Sequence, residues 1–208
     1  MSRIALAAVL GASTVASADF VNASFTQESL EAGEVTYRIF LNYDSPLDKQ
    51  LAVSGNAAFS ALSLNASSPL INKHLVPTVP ADVPGALALP GDSWLTIGDE
   101  ATQETSFSPD FLDSNADANG AIVNGSSFAQ ADNGGYFDSN PSSAEVGGSI
   151  LIAQFTFAEG STWTYTGTSD YNAGGDTLTN VGFSVSNVPA PGALALLGLA
   201  GFGRRRRG

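Results

Sequence analysis

Asp113-Ser-Asn115-Ala-Asp117-Ala-Asn119-Gly120 places an oxygen ligand at every second residue and ends on a turn glycine. Ca²⁺ is a hard ion that takes roughly six to eight oxygens, so alternating Asp and Asn before a turn can wrap it. In one register, Asn115, Asp117, Asn119, Gly120 and Ile122 follow the first half of an EF-hand-type loop. Ser126 then stands where a bidentate Glu belongs, and Asn replaces the leading Asp. Two readings stay open: a weak Ca²⁺ site at Asp113, Asn115, Asp117 and Asn119, or a solvated polar loop. A second pattern is Thr162, Thr164, Thr166 and Thr168, interleaved with Trp163, Tyr165 and Gly167. On a strand the four hydroxyls share one face, a regular array of the kind that an ice-binding surface needs. A half-buried strand with a polar outside would show the same spacing, because Thr favours strands. Third, Trp94, Trp163, Tyr165 and Tyr171 could stack on sugar rings, although core aromatics look alike in sequence.

Catalysis is poorly served. His74, the only His, lies in Ile71-Asn-Lys-His-Leu-Val-Pro77, and no Gly-x-Ser-x-Gly elbow accompanies it. A single imidazole cannot build a His₂ or His₃ zinc site, and the chain has no Cys for a thiolate or a disulfide. No P-loop is present. Paired carboxylates could hydrolyse glycosides, but 20 scattered acids single out no pair. The expectation is a protein without enzymatic activity. With 8 Lys+Arg against 20 Asp+Glu, the net charge of −12 also speaks against nucleic acid as a partner.

Any such site needs a scaffold, and the apolar pattern predicts strands. Val35, Tyr37, Ile39, Leu41 and Tyr43 alternate with polar positions, with Phe40 the exception; Leu151, Ala153, Phe155 and Phe157 alternate with Gln154 and Thr156. Further strands are expected at 20–26, 50–54, 57–64, 93–97, 162–166 and 181–185. No segment keeps a 3.6-residue period with caps. The pattern predicts an all-β chain, an antiparallel β-sandwich or jelly-roll-like domain. Its long irregular loops would be the Pro-rich stretch 65–92 and the Asp/Asn/Gly/Ser-rich stretch 99–147.

The two ends read differently from the middle. Arg3, an apolar run and Ala16-Ser17-Ala18 follow the order of a signal peptide over 1–18, with cleavage before Asp19. Val188 to Gly203 is 16 uncharged residues, followed by Arg204, Arg205, Arg206 and Arg207. As a helix it would span only about 24 Å, a short and marginal crossing whose Arg cluster is held on the cytoplasmic side. The intervening domain, 19–187, carries all 20 acids against Arg38, Lys49 and Lys73, a net charge of −17.

Val188-Pro189-Ala190-Pro191, the apolar stretch Gly192–Gly203 and Arg204–Arg207 together resemble the PEP-CTERM sorting tail, which is also recorded on proteins labelled ice-binding. Ala190 stands where that motif usually has Glu. The likeness covers about 20 residues, 188–208. It implies bacterial export through the secretion machinery and a transient C-terminal membrane segment. It also implies processing by an exosortase-type membrane protease, then delivery to the cell envelope, the cell surface or an extracellular exopolysaccharide matrix. Val35–Leu41, Asp92–Gly98, Gly135-Tyr-Phe137 with Asn140-Pro141, and Leu151–Phe155 resemble the β-rich passengers of such tails. The expected role is structural or adhesive, with a glycan-, Ca²⁺- or ice-binding module as the alternative.

Overall fold

The computed structural model describes residues 20–71, 73, 91–98, 105–107, 127–130, 134–140, 146–174 and 177–188. These form eleven strands: β1 (Phe20–Glu28), β2 (Glu34–Tyr43), β3 (Lys49–Ser54), β4 (Leu62–Ala66), β5 (Trp94–Leu95), β6 (Thr105–Phe107), β7 (Ser127–Gln130), β8 (Gly135–Asp138), β9 (Ser149–Ala158), β10 (Trp163–Ala173) and β11 (Thr177–Ser186). All pairings are antiparallel, in two packed sheets. The expected all-β sandwich architecture is what the chain adopts. The smaller sheet runs β1-β2-β9-β5.

The larger sheet is organised by β10. β11 covers one edge of β10 along Thr164–Ala173. The other edge is shared, with β4 against Trp163–Thr166 and β3 against Thr168–Asn172. β8 and β6 extend the sheet beyond β3, and β7 extends it beyond β4. The fork falls at Gly167.

Alternation buries one face of β2, while β9 is buried on both faces from Ile152 to Phe157. Ile39, Leu41, Val53, Leu62, Leu64, Phe157 and Tyr165 are each 0% exposed. Trp163 stands at an aromatic junction, with its ring centroid 5.3 Å from Phe25 and 5.1 Å from Tyr37. Burial of such rings supplies most of the drive for the two sheets to pack, because non-polar area leaves water.

Three expectations about strands change. The segment 57–64 is strand only from Leu62; Asn56 caps a turn through Asn56 Oδ1, which accepts from the Ala58 N–H at 2.9 Å. The stretch 99–147 contains β6, β7 and β8, of three, four and four residues, too short to display a period. Phe40 does not interrupt β2, since Ile39, Leu41 and Tyr43 stay buried on the face opposite it; the register shift there leaves Ile152 of β9 as the extra residue.

Candidate functional site

The outer face of the larger sheet carries a groove of about 330 Å³. One cross-strand row runs through it: Phe137 pairs with Ala52, Ala52 with Asp170, and Asp170 with Asn180 on β11. Adjacent strands lie about 4.8 Å apart, so Phe137 and Asp170 flank Ala52 at roughly 10 Å on the backbone. The Ala52 methyl leaves the floor low between two taller walls. Phe137 is 40% exposed and Leu178 is 63% exposed, the apolar walls of the groove.

The polar centre is pre-organised. Ser54 Oγ donates to Asp170 Oδ2 at 2.6 Å, and Asn180 Nδ2 donates to Asp170 Oδ1. An ionised carboxylate offers about four lone-pair sites, so two bonds fix its orientation and leave acceptor capacity for a ligand. Asn56 lines one end, its Oδ1 turned to its own backbone turn.

The end wall is the connection between β3 and β4. It folds over the outer face at the fork. Thr168 Oγ1 donates to the Ser60 carbonyl at 3.0 Å, and Thr166 Oγ1 donates to the Ala61 carbonyl at 2.9 Å. Beneath the turn, a Cβ on Gly182 would come within 3.2 Å of the Phe59 carbonyl oxygen, so β11 offers a bare backbone there.

This placement corrects the reading of the Thr ladder as an ice-binding face. Thr168 is 0% exposed under the turn, and Thr164 donates to Ser186 Oγ at 3.1 Å. Of Thr162, Thr164, Thr166 and Thr168, only Thr162 is exposed. Four open hydroxyls on a flat face are absent; three of them hold neighbouring segments. Trp94, Trp163, Tyr165 and Tyr171 are likewise no stacking platform, being 4%, 1%, 0% and 2% exposed. The exposed ring of the groove, which sequence reasoning passed over, is Phe137. Its signal was present in Gly135-Tyr-Phe137, an aromatic pair that must face opposite sides of any strand.

Asp113, Asn115, Asp117, Asn119 and His74 lie outside the described residues, as do Ala16, Ala18, Asp19, Pro189, Ala190, Pro191 and Arg204–Arg207. Val188 is described. It is half exposed and borders a shallow depression of about 300 Å³ with Thr162 and Thr164. Among the described residues, no group of three His, Cys, Asp or Glu side chains converges on a metal position. No helix among them is long and apolar enough to cross a membrane.

Buried polar groups elsewhere brace the sandwich. Tyr43 Oη donates to Gln50 Oε1, which also accepts from Ser169 Oγ at 2.9 Å. Tyr136 Oη and Tyr165 Oη share a bond of 2.8 Å in the core. Burial raises the pKa of Tyr43, Tyr136 and Tyr165, because phenolate is poorly solvated there. Burial opposes the charge of Lys73, but bonds to Glu31 at 2.8 Å and Glu34 at 2.5 Å carry its pKa above the ordinary lysine value.

Comparison with protein-family models, with curated proteins and with solved structures finds no match for the chain. Fold and groove therefore define the class on their own: a two-sheet antiparallel β domain with a lined cleft on its outer face.

Proposed function

We propose that the chain is an exported bacterial protein of the cell surface or extracellular matrix, with a non-enzymatic β domain that has a structural and adhesive role. Residues 1–18 act as its export signal. Residues 188–208 act as a sorting tail read by an exosortase-type membrane protease, with Val188–Pro191 as the motif and Arg204–Arg207 as the basic stop. The resemblance of the tail and the acidic composition of the body support this destination.

The observation that carries adhesion is the groove. An exposed ring faces a carboxylate already oriented by two donors, across a floor no taller than Ala52. Recognition sites for small polar ligands combine apolar walls with a few fixed polar groups in this way. The partner that suits the destination is exopolysaccharide. Co-sedimentation of the full chain with insoluble matrix polysaccharide tests the reading. The wild-type chain should pellet, and Phe137→Ala should stay in the supernatant. Equal pelleting of the two would remove the groove from adhesion.

A further inference from the structure

The groove also has a sign. We infer that it selects uncharged hexose units and turns uronic acids away, an inference that rests on the adhesive reading above. The groove lining contains Asp170 and, among the described residues, no Lys or Arg. Two neutral donors orient that carboxylate without cancelling its charge. An uronate in the groove would face Asp170 at close range, where no counter-charge shields either carboxylate. The domain around it is at −17, which adds repulsion over a Debye length of about 8 Å.

A neutral pyranose has the opposite fit. Its hydroxyls donate to the open lone pairs of Asp170. Asn56 keeps its amide Nδ2 as a donor, since only its oxygen serves the turn. The apolar C–H face of the sugar meets the Phe137 ring. Since Phe137 and Asp170 are two strands apart, one ring fills the span between them. A cavity of about 330 Å³ then holds one or two sugar units rather than a long chain segment.

Calorimetric titration of the full chain measures this directly. The probes are neutral hexaoses of glucose, galactose and mannose, set against hexamers of guluronate and mannuronate. At least one neutral hexaose should bind about tenfold or more tightly than either hexauronate, a gap that needs only about 1.4 kcal/mol. Asp170→Asn should close most of that gap, because it keeps shape and removes charge. Phe137→Ala should weaken the neutral sugar about tenfold, while Phe137→Trp should retain it. Circular dichroism on each variant confirms the fold. If a hexauronate binds as tightly as the neutral sugars, and Phe137→Ala abolishes both, selectivity falls and adhesion through the groove stands. If no hexaose of either kind binds, both readings fall.

Discussion

Gly135 has no room for a side chain. A Cβ at this position would lie 2.2 Å from the Val53 carbonyl oxygen, so β8 can approach β3 this closely only with glycine. Gly135→Ala should cost about 3 kcal/mol and spread the β3–β8 pairing beneath the groove, read as a lower urea midpoint. The buried tyrosines set the alkaline limit. Tyr43, Tyr136 and Tyr165 have raised pKa values in the fold, so above about pH 10 the unfolded chain loses phenolic protons first. Lys73 acts in the same direction, since its ion pairs also raise its folded value. Stability should therefore hold up to about pH 10 and then fall, each group contributing a slope of up to about 1.4 kcal/mol per pH unit. Phenolate absorbance should show these three tyrosines ionising together with loss of the far-ultraviolet β signal. Gradual ionisation in a folded protein would contradict their burial.

At the scale of elements, β10 organises the larger sheet. Its core face carries Trp163, Tyr165 and Tyr171, while its outer face supplies Asp170 to the groove and Thr166 and Thr168 to the turn at the fork. Thr168→Val keeps the shape and removes the bond to the Ser60 carbonyl. It should cost about 1 kcal/mol in a urea melt and weaken polysaccharide retention, because the end wall loosens. β2 was legible because one face of it is buried, and a period of two follows from that; β9 showed a polar alternation in sequence although Gln154 and Thr156 are buried too. The fork at Gly167 was not legible, since nothing local says that two strands share one edge of a third. Nor was the groove: Ala52, Phe137 and Asp170 with its neighbour Asn180 meet only through the pairing of β3, β8 and β10, which lie far apart in the chain. The Thr ladder misled because spacing reveals a shared face but not what lies over it.

The whole molecule joins an aromatic core, into which Asp48 and Asp92 are also drawn, to a strongly acidic composition. Phe155 against Tyr165 at 5.1 Å and Tyr43 against Tyr171 at 5.0 Å show rings bridging the layers without any disulfide. Phe155→Ala, 2% exposed in the wild type, should cost about 3–5 kcal/mol in the same melt, with the cavity adding to lost transfer energy. By contrast, Phe137→Ala should shift the midpoint little, because that ring is 40% exposed and serves the surface. This division separates what holds the fold from what works outside it. Fractionation of the producing bacterium, with the wild-type chain compared against Phe137→Ala, tests that division in place. Wild-type protein should be found in the extracellular matrix, lacking residues 1–18, and the variant should be equally exported but released into the medium. Wild-type protein left in the cytosol with Met1 attached, or a variant held in the matrix as firmly as the parent, would contradict it.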